Sequence, residues 1–212
     1  MKNLRSFLLL LPLLAVSLPG CIEMAAVGAG AAALGYEDRR TTGSMVEDEG
    51  IELRATNRVS ERFGDRVHIN ITSFNRSVLI TGEVPNANTK SEIEKIVQGV
   101  PSVRSITNEL QVAGGTSLSS RATDSTITGK VKARFVDSGK FSALHVKVVT
   151  EAAVVYLLGI VTEAEANEAV EIARTTGGVR KVVKVFEYCK PTDVICARGG
   201  QPKAAEAKKS GS

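Results

Sequence analysis

Three cysteines, two histidines and 27 lysines and arginines are the side chains of this 212-residue chain with the most chemistry to offer. A thiol can be acylated, oxidised or metal-bound, an imidazole can ligate or carry a proton, and clustered cations can hold an anionic surface. His68 and His145 stand in Val67-His68-Ile69-Asn70-Ile71 and Leu144-His145-Val146-Lys147-Val148, which alternate apolar and polar residues. On a half-buried strand that pattern turns both imidazoles to solvent, and no Cys, His, Asp or Glu spacing completes a metal centre around them. No nucleophile elbow or acid/base signature surrounds the serines and acidic residues. The chain therefore reads as non-enzymatic, with no cofactor and no metal. Aromatic residues are 4% of the chain and tryptophan is absent, so neither a base-stacking platform nor an aromatic cleft is expected. The sequence pI is near 9.0, but no basic face is concentrated enough for duplex binding, and nucleic acid is not an expected partner.

Cys21 has a clearer context than the other two thiols. Met1 to Arg5 is positive, and Phe7 to Leu18 is an apolar run broken by Pro12 and Ser17. The run is too short for a hydrocarbon layer of about 30 Å but suits the core of a secretory signal. Leu18-Pro19-Gly20-Cys21 resembles a bacterial lipobox, in which a leucine and a small residue precede a cysteine that receives diacylglycerol. Leu18, Gly20 and Cys21 match, and Pro19 departs from the usual small residue. Residues 1–20 are accordingly expected to be a signal peptide and Cys21 the acylated N-terminus, each buried CH₂ contributing about 0.8 kcal/mol to anchoring. Ile22, not aspartate, follows the cysteine, which by resemblance to enterobacterial sorting points to the outer membrane. Loss of Lys2 and Arg5 leaves 25 basic against 23 acidic residues, +2. Ala25 to Gly35 is a small-residue stretch. Its Gly28-Ala29-Gly30 lacks the strand, third glycine and helix of a dinucleotide loop, so residues 21–46 read as lipidated N-terminus and tether.

The elements that position everything else come twice. Ile51, Ala55 and Val59 recur 76 residues later as Ile127, Val131 and Phe135, the i, i+4, i+8 stripe of a packed helix. After a one-residue insertion, Val78, Ile80, Gly82 and Val84 return as Val155, Leu157, Gly159 and Val161. Gly82 and Gly159 at the ends of these strands suggest a kink or a close backbone approach. A second helix follows in each copy, with Ile93, Ile96, Val97 and Val100 or Ala166, Ala169, Val170 and Ala173 on one face. Val103-Arg104-Ser105-Ile106 and Val179-Arg180-Lys181-Val182 close the copies. Each copy is an αββαβ unit: an α+β fold with a small three-stranded mixed sheet and two helices over one face. Residues 47–113 form the first unit, 114–122 a Gly/Ser linker and 123–189 the second. Residues 190–212 are expected to be a disordered tail.

The repeat, with Ile80-Thr81-Gly82-Glu83-Val84 and Leu157-Leu158-Gly159-Ile160-Val161 after the second strand and Val100-Pro101-Ser102-Val103 and Gly177-Gly178-Val179 before the third, resembles the BON domain. Lipobox, small-residue tether, the Asp38-Arg39-Arg40-Thr41-Thr42-Gly43 segment and two BON units together are similar to the dual BON-domain outer-membrane lipoprotein family. That resemblance implies a protein on the periplasmic side of the bacterial outer membrane, binding phospholipid and supporting membrane integrity, with the second domain meeting the bilayer. A protein-interaction adaptor for envelope-assembly machinery is the alternative.

The residues themselves separate the two units by charge. Met45 to Gly64 carries a net −2, whereas Arg121 to Lys140 carries +3 from Arg121, Lys130, Lys132, Arg134 and Lys140 against Asp124 and Asp137. These five cations are the candidates for anionic phospholipid such as phosphatidylglycerol, at about 1 kcal/mol per basic residue near such a surface. The resemblance implies a large aromatic at the position of Thr126; this chain is polar there, so binding must lean on charge. Once Cys21 is consumed, Cys189 and Cys196 remain in an oxidising compartment, bracketing a polar turn. A disulfide between them is expected, contributing at most about 2–3 kcal/mol.

Overall fold

The computed structural model describes residues 38–113 and 118–197, with no side-chain statement for 118–120. The signal peptide, Cys21, most of the tether, the first four residues of the linker (114–117) and residues 198–212 lie outside the described residues.

Module 1 opens with helix α1 (Thr42–Phe63), whose Ile51, Ala55, Val59 and Phe63 form the buried stripe. Thr41 caps it, its Oγ1 accepting the Ser44 N–H at 3.1 Å, and Gly64 at φ 55° ends it. Strands β1 (His68–Phe74) and β2 (Ser77–Val84) form an antiparallel hairpin. Helix α2 (Ala87–Gln98), capped by Asn86, carries the chain across to β3 (Ser105–Asn108), which runs parallel to β2. The chain leaves the ladder at Glu109 and Leu110, buries Leu110 in the core, and resumes as β4 (Gln111–Val112) farther along β2. Module 1 thus has four strands where three are expected, because its last strand is interrupted.

Module 2 repeats the order: α3 (Leu118–Ser138), β5 (Val146–Glu151), β6 (Val154–Val161), α4 (Glu163–Arg174) and β7 (Lys181–Tyr188). Its sheet runs β5-β6-β7, with β7 an unbroken parallel partner of β6. A four-residue helix, α5 (Val194–Ala197), follows.

Two expected boundaries move. Helix α1 begins at Thr42, and the preceding arginines are held by side-chain contacts, so residues 38–46 belong to the folded unit rather than to the tether. At the other end the tail assignment fails for residues 190–197: Asp193 accepts the Lys190 N–H at 2.7 Å, and Cys196 is buried.

Each sheet uses both faces. Val78, Ile80 and Val84 of β2 pack under the helices of module 1, and Val155, Leu157 and Val161 of β6 do so in module 2. The opposite faces of the two sheets meet in a seam built on Phe74, Leu79, Tyr156, Leu158 and Ile160. Gly82 and Gly159 have one clear cause. A Cβ would lie 2.1 Å from the His68 carbonyl oxygen at Gly82 and 2.4 Å from that of His145 at Gly159.

Candidate functional site

Helix α3 carries the cations singled out by charge. Its inward side is Asp124, Ile127, Val131 and Phe135, all buried. At 3.6 residues per turn the opposite side is Ala122, Thr126, Gly129, Ala133 and Val136, an uncharged exposed stripe on which Val136 is 68% exposed. Thr126 is less polar there than its formula suggests, since its Oγ1 donates to the Ala122 carbonyl of its own helix at 3.0 Å. Lys130 flanks the stripe on one side, and Arg121 and Lys132 on the other. All three are exposed and form no ion pair among the described residues.

Arg134 and Lys140 are different. The Arg134 guanidinium turns back onto the end of α4, donating to the Ile172 carbonyl and Thr176 Oγ1 at 2.7 Å each and to Thr175 Oγ1 at 3.1 Å. Lys140 Nζ pairs with Glu168 at 2.6 Å. Both sit at the edge where α3 meets α4, and their charge is committed within the module. In α1 the basic side chains are likewise engaged: Arg54 with Glu47, Arg62 with Glu92, and Arg58 with the Gly99 carbonyl.

His145 corrects the reading of both histidines as solvent-facing. The residues expected to start β5 form a 3₁₀ turn over Ala143–His145, which breaks the alternation and turns the imidazole inward to 1% exposure. Its Nδ1 lies 3.3 Å from Glu165 Oε1. Glu165 also receives both terminal nitrogens of Arg39, at 2.6 and 2.9 Å, and completes the capping box of α4 with Thr162. Burial alone would raise the Glu165 pKa. The hydrogen bonds from His145, Arg39 and the Thr162 N–H outweigh it and hold the carboxyl well below the usual carboxylate range. Arg39 further donates to the carbonyls of Ile160 at 2.9 Å and Cys196 at 3.2 Å. The segment before α1 is thereby fastened to module 2 and to the turn closed by the Cys189–Cys196 disulfide, whose Cα atoms are 5.9 Å apart.

Asp48 and Asp124 do more than the charge count assigned to them. In the β1–β2 turn Asn75 and Arg76 have φ of 50° and 64°, and in the β5–β6 turn Ala152 and Ala153 have 49° and 60°. Asp48 accepts the N–H groups of Asn75 and Arg76 at 2.8 and 2.7 Å, together with the Ser73 hydroxyl at 2.6 Å. Asp124 accepts those of Ala152 and Ala153 at 2.9 and 2.8 Å. The same 76-residue interval that relates Ile51 to Ile127 relates these aspartates, and it was the signal that could have found them.

Duplicated αββαβ modules, stacked sheet to sheet around an apolar seam, describe a protein built by repetition of one small α+β domain. The BON domain model matches residues 51–114 and 123–190. The chain is 37% identical over 175 residues to the outer membrane lipoprotein DolP of Haemophilus influenzae, covering 82% of this chain and 91% of that protein. It is 31% identical over 153 residues to the 21 kDa hemolysin of Actinobacillus pleuropneumoniae, covering 71% and 79%. Among solved structures, the C-terminal domain of CdsD from Chlamydia trachomatis matches at 15% identity and a TM-score of 0.29, over 69% of this chain and 98% of that one. The chain belongs to the dual BON-domain family of outer-membrane lipoproteins.

Proposed function

We propose that the protein is anchored by acylated Cys21 on the periplasmic side of the outer membrane, where it binds anionic phospholipid through the outward side of α3 and so supports envelope integrity. One observation carries this reading. Arg121, Lys130 and Lys132 flank an uncharged, exposed stripe and form no ion pair among the described residues. An uncharged strip between cations can lie against headgroups while the cations reach phosphate on either side. Thr126 and Val136 offer little depth of insertion, so the interaction is mainly electrostatic.

The test is co-sedimentation of the soluble form, lacking the signal peptide and carrying Cys21→Ser, with phosphatidylglycerol vesicles. Binding should weaken steeply as ionic strength rises from 0.01 to 0.15 M and the Debye length falls from about 30 to about 8 Å. The double variant Lys130→Glu with Lys132→Glu should abolish it, while Arg54→Glu with Arg58→Glu in module 1 should leave it intact. Equal affinity of both variants would remove α3 from the site. A parent that fails to sediment at low salt would replace the lipid reading with the adaptor one.

A further inference from the structure

We propose that His68, Glu83 and Glu151 form a binding site for a divalent transition-metal ion, of the Zn²⁺ type, that ties module 1 to module 2. His68 and Glu83 are direct partners in the β1–β2 register, on the face that looks toward the seam. Glu151, the last residue of β5, comes from the other module. One potential ligand atom from each of the three lies within 4.8 Å of the other two. On a tetrahedral ion with ligands at 2.0–2.1 Å, donor atoms stand about 3.4 Å apart, so modest side-chain rotation brings the three into range.

The surroundings suit a cation. Glu83 and Glu151 are only 6% and 7% exposed, so an ion held between them and His68 would sit largely out of water, where its attraction to the carboxylates is weakly screened. Glu151 forms no ion pair among the described residues. Its Oε2 accepts from Asn70 Nδ2 at 2.8 Å and from Thr81 Oγ1 at 3.5 Å, contacts that orient a carboxylate as an outer shell orients a ligand. His68 borders two open clefts, one of about 470 Å³ that reaches Glu151 and one of about 420 Å³ that reaches Glu83, so an ion has a route in. Of the other charged groups lining the first cleft, Asp124 has both oxygens occupied by the β5–β6 turn, and Arg121 is exposed.

The donor set chooses the metal. One imidazole nitrogen with two carboxylate oxygens suits Zn²⁺ and its neighbours, with water filling the fourth position, and disfavours Mg²⁺ and Ca²⁺, which take oxygen ligands alone. The site is also confined to one end of the seam. At the 77-residue interval the counterparts of His68 and Glu83 are His145, which faces Glu165, and Ile160, which belongs to the apolar cluster.

The experiment uses the mature, acylated, tag-free chain in detergent, with ZnCl₂ as probe and MgCl₂ as control. Equilibrium dialysis should find about one Zn²⁺ per chain at micromolar concentration and no comparable Mg²⁺. Glu151→Gln, which keeps the shape of the side chain, and His68→Gln should each weaken Zn²⁺ binding at least tenfold. Zinc should raise the melting temperature of the parent but not of the variants, because binding to the native state alone stabilises it. The surface variant Glu171→Gln should behave as the parent. A parent that takes up no Zn²⁺, or either folded variant retaining the parental affinity, overturns the site. Should one variant fail to fold, the other decides.

Discussion

A single carboxylate can hold a turn that its own residues resist. Ala152 and Ala153 both occupy the left-handed region, where a Cβ is disfavoured, yet the two-residue loop they form matches the twist of β5 and β6. The compensating contact is Asp124, which accepts both of their N–H groups from α3. Hydrogen bonds to a charged acceptor contribute roughly 1.5–3 kcal/mol each, and the pair shares one residue. Asp124→Ala is therefore expected to destabilise the protein by about 2–4 kcal/mol, read from urea denaturation. Ala153→Gly in that background should recover part of the loss by relieving the backbone. The equivalent turn of module 1 has Asn75 and Arg76, and asparagine tolerates this region better than alanine.

Helix ends decide which cations are available to a partner. The last carbonyls of α4 have no intrahelical donor, and Arg134 reaches across from α3 to supply one to Ile172 while also binding Thr175 and Thr176. Arg134 thus joins two helices of one module, and its charge lies against the negative end of α4. Arg134→Ala should lower stability by about 1–2 kcal/mol in thermal or urea melts, yet leave the salt dependence of vesicle binding unchanged. Lys132→Glu should do the reverse, sparing stability and weakening vesicle binding. If Arg134→Ala abolished vesicle binding at full foldedness, its guanidinium would have to face lipid rather than α4.

At the scale of the molecule, the two modules are joined by more than a linker. The seam stacks sheet on sheet, Lys147 pairs with Glu52 at 3.1 Å, and Asn75 and Arg104 of module 1 both bind Glu187 of β7. Arg39 adds a strap from the start of module 1 to Glu165 and to the disulfide-closed turn. The Arg104 hydrogen bond leads in holding the Glu187 pKa down, while Glu165 is depressed because its several donors overcome burial. A depressed carboxylate stabilises the fold above its unfolded pKa of about 4.3 and loses that contribution as pH falls through its folded value. Stability should consequently be level from pH 8 to 5 and decline below about pH 4. Glu165→Gln should be less stable at neutral pH and show a shallower acid decline in urea melts stepped from pH 7 to 3. An acid decline as steep as the parent's would place the titrating groups elsewhere.

The repeat, its element order and the helix-facing core were legible because local periodicity reports which side of an element is buried. Ile51, Ala55 and Val59, or Ile127, Val131 and Phe135, need no partner to be recognised as a stripe. What covers a face is a long-range fact. The run Val154–Val161 is apolar on both sides, a hint of a strand buried twice, but only the tertiary structure shows Leu79 and Phe74 lying against Tyr156 and Leu158. Charge was legible as a difference between α1 and α3, while its availability was not. Arg134 differs from Lys132 only through partners about 40 residues away. Arg39 read as tether because its partner Glu165 is 126 positions distant, and His145 read as exposed because a 3₁₀ turn shifts the alternation. Periodicity is a property of neighbours in the chain and is written in the sequence; ion pairs, seams and ligand clusters are properties of neighbours in space, which only the packed chain brings together.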